Sequence, residues 1–311
     1  MYKNIQQKNS PNIIAVDGTY STMKASLCKE GYKSNKNGES VTPLITGMFN
    51  ITCNCPIGLH ITKHKNERKA FMDLIAEYPS YKHSVFVFDR GYFSEDMFNF
   101  MNDNDLFYIC RMRENSLLID NTKDDFTTKM KNGADIRIVK YAIDNKSYYM
   151  ATNLIDAEHF PISYIKENYG HRWTVEEYFK YAKQTLSLNK LEESKERNVI
   201  KTIYSHLITS QITYMFTILN EEMENTSKKI NKSLLTTGIM DTFIYNFLTC
   251  TNLDDSSMRK FCKVYIKFII TKANRLRRRR KRMRLRRSRS YDRKTKRCNF
   301  LSYCAFGERV V

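Results

Sequence analysis

Short apolar runs that end in polar turn residues alternate with amphipathic stretches over the first two-thirds of the chain. Ile13–Val16 is the first such run and stops at Asp17-Gly18-Thr19. Leu44–Phe49 and Ile51–Cys55 predict two further strands joined through Asn50. Asn66 is placed to cap a helix running to Tyr78, with Glu67 in its first turn and Ala70, Phe71, Leu74, Ile75 and Tyr78 as its apolar stripe. Ser84–Phe88 is wholly apolar after its serine, the pattern of a strand buried on both faces, and it stops at Asp89-Arg90-Gly91. Ser94 then caps a helix whose first turn carries Glu95 and Asp96 and whose inner face carries Met97, Phe98 and Met101. Phe107–Cys110 reads as the next strand.

Beyond Ser116 the period changes. Ile136–Ala142 and Tyr148–Ala151 alternate as strands do, with Asp144-Asn145 as a turn between them. From Pro161 the pattern is helical: one long helix over 162–187, another over 198–219, and further helices around 229–250 and 256–273. The order predicts an α/β fold, a mixed sheet flanked by helices with a β-strand insertion before the last helical part. The implied organisation is a first core segment at 1–115, a β-rich insertion at 116–152, a second core segment at 153–222, a helical region at 223–271 and a basic tail at 272–311.

Composition narrows the class. With 41% hydrophobic residues, 18 Phe and 20 Tyr in 311 residues, the chain buries a sizeable core, which excludes disorder throughout. The most apolar long segment, Asn198–Leu219, is broken by Lys201, Ser205, His206 and Gln211, which argues against a membrane span. Met1–Asn12 lacks the apolar run of a signal peptide, so the expectation is an intracellular protein. The eight cysteines form no C-x-x-C pair and fit reduced thiols. Cys53 and Cys55 with His60 and His64 suggest zinc, but the one-residue gap is poor for a tetrahedral site, and a half-buried strand followed by a loop is favoured.

The formal net charge is +19, and 16 basic residues against one acid fall between Lys272 and Arg297. Such a segment binds phosphate backbones without reading sequence, and in a nucleated host it also resembles an import signal. Residues 1–271 prefer Lys, and the tail switches abruptly to Arg, which a frame change through lysine-coding DNA would also produce.

The candidate chemistry is acidic. Asp17 in VDGTYS and Asp89 in FDRGYFS each follow a buried-looking strand, where ligands bind in α/β folds. Clustered carboxylates repel unless a cation neutralises them, and hard oxygen ligands of this kind suit Mg²⁺ or Mn²⁺. In the predicted helix, Tyr169, Arg172, Glu176 and Lys183 stand at offsets 0, 3, 7 and 14, within about 60° of one another. Glu177 lies about 100° away from Glu176. The neighbouring face carries Val175, Phe179, Ala182 and Leu186, a stripe suited to packing on a sheet. Charge pairing along an exposed face, Arg172 to Glu176 to Lys183, is the plainer reading of the same edge. His171 points away from that edge, Trp173 is expected in the core, and Tyr92 and Phe93 are expected to pack. Lys24 and Arg90 stand within sequence reach of the two aspartates.

VDGTYS, the DRGYFS segment and the Tyr-(2)-Arg-(3)-Glu-(6)-Lys spacing together resemble the insertion-sequence-4 family of DDE transposases. Gaps of 72 and 87 residues separate Asp17, Asp89 and Glu176, and the β-rich stretch falls in the second. Ala151-Thr152-Asn153-Leu154 and Trp173 share the likeness, which covers about Ile13 to Leu191. The resemblance implies a ribonuclease-H-like fold and a triad of Asp17, Asp89 and Glu176 holding two divalent metals, Mg²⁺ or Mn²⁺. It implies that Tyr169, Arg172 and Lys183 grip backbone phosphates and an unstacked nucleotide at the transposon end. It further implies double-stranded DNA, both element ends and target, as partner, nicking followed by strand transfer, and a homodimer on DNA.

The family usually carries an N-terminal end-recognition domain, and 16 residues precede Asp17 here, so the expectation is a truncated copy, a remnant, or a chain that uses another region for that task. Two competing readings remain. One is a decayed transposase serving as a non-specific nucleic-acid-binding protein through its tail, and the other is a ribonuclease-H-like nuclease without a transfer step.

Overall fold

The computed structural model describes residues 11–77, 81–144, 146–224 and 230–239. In chain order the first strands are β1 (Ile13–Tyr20), β2 (Thr22–Lys24), β3 (Ser40–Val41), β4 (Leu44–Asn50) and β5 (Cys55–Thr62), followed by α1 (Glu67–Glu77) and β6 (Val85–Phe88). Next come α2 (Glu95–Asp103), β7 (Phe107–Arg111), β8 (Asp125–Lys129), β9 (Asp135–Ile143) and β10 (Lys146–Thr152). The chain continues through α3 (Ile162–Gly170), α4 (Trp173–Thr185), β11 (Lys190–Leu191), α5 (Glu196–Glu224) and α6 (Lys232–Gly238). Two compact units divide after Ile218, and α6 lies in the second.

Eight strands form one sheet in the order β5-β4-β1-β6-β7-β10-β9-β8, and β11-β2-β3 form a small second one. β1 runs parallel to β6, and β6 parallel to β7, while β1, β4 and β5 pair antiparallel, as do β7, β10, β9 and β8. A mixed sheet covered by helices on both faces is the ribonuclease-H-like arrangement expected above. The strands from the β-rich stretch extend this same sheet, because β10 pairs with β7.

Alternation along the strands builds both faces. Ile14, Val16, Phe86 and Phe88 pack with Phe71 and Leu74 of α1 and with Met97, Phe98 and Met101 of α2. Ala15, Ile45 and Phe49 point the other way and pack with Val175, Phe179 and Ala182 of α4 and with Val199 and Ile203 of α5. Val85, Ile109, Val139 and Met150 meet Ile165 of α3. Arg137 of β9 is 1% exposed and forms a two-pronged pair with Asp125, donating also to the carbonyls of Leu154 and Phe160.

Three expectations need correction. Ile51–Asn54 is a turn rather than a strand, because Asn54 sits at φ 48° and Asn50 Oδ1 accepts from the Cys53 amide; β5 begins only at Cys55. Cys53 and Cys55 therefore lie in a turn and the strand after it, and His64 pairs with Asp73 at 3.1 Å. The single helix expected over 162–187 is two. It breaks at His171-Arg172 after Gly170, a weak helix former, where the Arg172 amide closes a tight turn onto the Tyr169 carbonyl at 3.0 Å. Trp173 is 51% exposed rather than core, because it opens α4 on the side away from Val175 and Phe179, with Lys180 Nζ 4.9 Å over its ring. Apart from α6, the helices expected around 229–250 and 256–273 and the Arg-rich tail lie outside the described residues. Among the described residues, no helix is long and apolar enough to cross a membrane.

Candidate active site

Asp17 lies inside β1, not at its end. The strand continues to Tyr20 against β4, with Asp17 opposite Gly47, but its parallel neighbour β6 pairs only as far as Ala15. Past Ala15 one flank of β1 is open, and Asp17 shares the sheet face of Ala15, toward α4. Asp89 follows the last residue of β6, where the chain leaves the sheet. It caps the short 3-10 turn Arg90–Tyr92, its Oδ1 accepting the Gly91 amide at 2.7 Å. Asp17 Oδ1 accepts the Gly18 amide at 2.9 Å.

The third acid comes from α4. Val175, Phe179 and Ala182 are buried against the sheet, which leaves Glu176 half-buried at the border of that stripe and Glu177 exposed. Gly47 sets how closely α4 approaches. A methyl group there would stand 2.6 Å from Phe179 Cζ, one helical turn beyond Glu176 and on the residue facing Asp17. Replacing Gly47 by Ala is expected to push α4 off β4 and to reduce turnover more than stability. Turnover and the urea midpoint of G47A measured side by side check this; a large midpoint drop with normal turnover per folded molecule would contradict it.

Arg172 Nη2 donates to Glu176 Oε1 at 2.6 Å, their side chains 13% and 25% exposed. Arg172 also bears electrostatically on Asp17 and on Tyr169, while Tyr169 feels Asp89 and Arg111. Asp17, Asp89, Glu176, Arg172 and Tyr169 are thus brought into one electrostatic neighbourhood. Tyr169 reaches it from the end of α3, a different helix from Glu176. Lys183 lies two turns further along α4, about 10 Å by helical rise, with no hydrogen bond or ion pair among the described residues. Lys24 and Arg90 are exposed.

Burial, and next the charges of Asp89 and Glu176, raise the Asp17 carboxyl from 3.8 to about 6, against the Gly18 amide and Arg172, which lower it. The folded state then holds this proton more tightly than the unfolded chain. Stability of the metal-free protein is expected to fall by on the order of 2 kcal/mol as pH rises from about 4 to about 6 and to level off above. Melting in a chelator across that range checks this, and Asp17→Asn should flatten the profile.

The donor set is all hard oxygen and its members repel one another, which fits a divalent cation. Among the described residues, no three His, Cys, Asp or Glu side chains are placed closely enough to enclose an ion, and Glu176 is paired with Arg172. Two residues of the neighbourhood escaped the sequence reading. Glu67 was assigned only to the first turn of α1, yet burial, and after it the charge of Asp89, raises its carboxyl. Arg111 ends β7 with its guanidinium 4.8 Å over the Tyr148 ring, and nothing in its sequence context set it apart.

The transposase DDE domain family matches residues 8–212. The chain is 27% identical over 168 residues to a protein of Synechocystis sp. described as a transposase for insertion sequence element IS4SA, across 52% of this chain and 47% of that one. It thus spans about half the length of the curated relative it matches. Among solved structures, the cryo-EM piggyBac transposase synaptic complex with hairpin DNA is similar at TM-score 0.45 and 10% identity, over 84% of this chain and 58% of that one. The chain belongs to the DDE transposases, and the insertion-sequence-4 relative agrees with the resemblance carried by its motifs.

Proposed function

We propose that the chain is the catalytic part of an insertion-sequence transposase that cuts double-stranded DNA at element ends and joins the cut strand to target DNA. What supports this reading is that Asp17 feels the charges of Asp89, Glu176 and Arg172, which reach it from three separate elements. Asp17, Asp89 and Glu176 would hold two Mg²⁺ or Mn²⁺ ions, which when bound would supply activation of the attacking hydroxyl and stabilisation of the leaving oxygen at phosphorus. Glu176 must release Arg172 to serve as a ligand, and that exchange frees the Arg172 guanidinium for a two-pronged grip on a backbone phosphate. Tyr169 supports an unstacked nucleotide from the α3 side. Lys183 provides a point charge further along the same DNA strand. The core is proposed to comprise residues 1–115 and 153–222 around the 116–152 strands, the protein to act inside the cell, and two copies to pair on DNA.

Incubating the full chain with Mn²⁺ and a supercoiled plasmid carrying its coding frame and flanking genomic DNA tests the reading. Nicked and joined products are expected from the wild type and not from Asp17→Asn or Asp89→Asn. Nicking by Asp17→Asn at the wild-type rate would overturn it. Products that are nicked but never joined would favour a plain nuclease. The tail sequence favours a second activity, salt-sensitive binding indifferent to DNA sequence.

A further inference from the structure

The parallel ladders hold β1, β6 and β7 in a common register. Ile13 pairs with Val85 and Val85 with Phe107; Ala15 pairs with Val87 and Val87 with Ile109. Carried on by two residues, that register sets Asp17, Asp89 and Arg111 in one row. Alternation gives all three positions to the sheet face that packs on α3 and α4. The Cys110 thiol donates to the Asp89 carbonyl at 3.3 Å, which ties the end of β6 to the end of β7. Arg111 is therefore the cation that the sheet itself places in the row of the two aspartates.

Arg111 is half-buried, yet among the described residues its side chain makes no ion pair and no hydrogen bond. Its guanidinium lies 4.8 Å over the ring of Tyr148 in β10. Tyr148 is in turn stacked on Tyr141 of β9, ring centres 5.7 Å apart and planes 13° from parallel. Met150, opposite Arg111 in the ladder between β7 and β10, is 0% exposed, so the strand under this platform is fixed. An arginine withdrawn from water ordinarily carries an acid partner. One held by a ring instead keeps its planar set of N–H donors available to an oxyanion. Arg172 differs, because Glu176 occupies it at 2.6 Å. Arg111 can take a phosphate without any such exchange.

We propose that Arg111, steadied by Tyr148, is a backbone-phosphate contact for double-stranded DNA that engages before any cation is bound, on the β10 side of Asp89. This rests on DNA being the substrate, as read above. The strands β9 and β10 then have a role in the site, as the support of that guanidinium. An arginine that only balanced the charge of Asp17 and Asp89 would be indifferent to DNA.

Phenylglyoxal labelling of the full chain in a chelator, read peptide by peptide by mass spectrometry, tests the contact. The probe is a duplex drawn from the DNA flanking the coding frame, with saturation followed by anisotropy. Arg111 is expected to label in the free protein and to be protected about fivefold or more by the duplex. Equal labelling with and without saturating duplex would overturn the proposal. In plasmid cleavage, Arg111→Met is expected to raise KM about tenfold with kcat within about twofold of wild type. Arg111→Lys, which keeps the charge but not the fork, should fall between, and Tyr148→Leu should raise KM about threefold. An unchanged KM in Arg111→Met, with its urea midpoint kept, would also overturn the contact. Protection of Arg111 in a chain that cleaves no DNA would keep this contact and remove the proposed catalysis. Cleavage without protection would do the reverse.

Discussion

Replacing Glu176 by Gln is expected to lower Mn²⁺-dependent DNA cleavage by about a thousandfold while leaving the protein folded. The side chain keeps its size, so α4 still packs through Val175, Phe179 and Ala182. What is lost is the charge that completes the acid set and competes for Arg172 at 2.6 Å. Removing one well-placed electrostatic group from a phosphoryl- or acyl-transfer site typically forfeits about 3–4 kcal/mol of transition-state stabilisation. Glu177→Gln is the matched control, one residue away and exposed, and should cleave as the wild type does. Single-turnover cleavage of the two variants separates the roles. Equal rates would mean that the edge of α4 carries charge pairing and no chemistry.

Arg137→Met is expected to destabilise the fold by about 3 kcal/mol, the largest single effect on stability. The guanidinium is 1% exposed and joins β9 to β8 through Asp125, at 2.7 Å from Nε and 2.6 Å from Nη2. It also satisfies the Leu154 and Phe160 carbonyls, at 3.0 and 2.8 Å, in the segment that leads from β10 to α3. Its loss leaves one carboxylate and two carbonyls without their donor, the situation in which breaking a buried pair is most destabilising. Asp125 is 26% exposed and can regain water, which keeps the effect at the lower end. Urea unfolding of the two proteins gives the value directly. Asp125→Asn should lower stability less, because the two carbonyl bonds persist.

The sheet was readable in the sequence where burial is two-sided. Ser84–Phe88 and Phe107–Cys110 are apolar runs closed by turn residues, and they became β6 and β7 almost residue for residue. The Ser94 cap and its acidic first turn likewise became α2, the Ser94 hydroxyl accepting the Met97 amide. What escaped depends on backbone detail that hydrophobic period does not encode. The left-handed Asn54 turned an apolar stretch into a turn, and the tight turn after Gly170 split one helical pattern into two. Trp173 was misplaced because its type favours burial while its position at the start of α4 does not.

At the site, the motif spacing singled out Asp17, Asp89 and Glu176, and Val175, Phe179 and Ala182 pack as their stripe predicts. The position of Asp17 within β1 was not legible, since only the early end of β6 opens that flank. Glu67 was hidden by its own good local explanation as a first-turn acid. Its place against β1 depends on the tertiary contact over Gly18.

Anomalous diffraction from crystals of the full chain grown with Mn²⁺ tests the central claim most directly. Two manganese peaks bounded by the carboxylates of Asp17, Asp89 and Glu176, with Glu176 turned away from Arg172, are the predicted result. Manganese bound elsewhere, or a Glu176 that keeps its pair with Arg172 at saturating Mn²⁺, would contradict it.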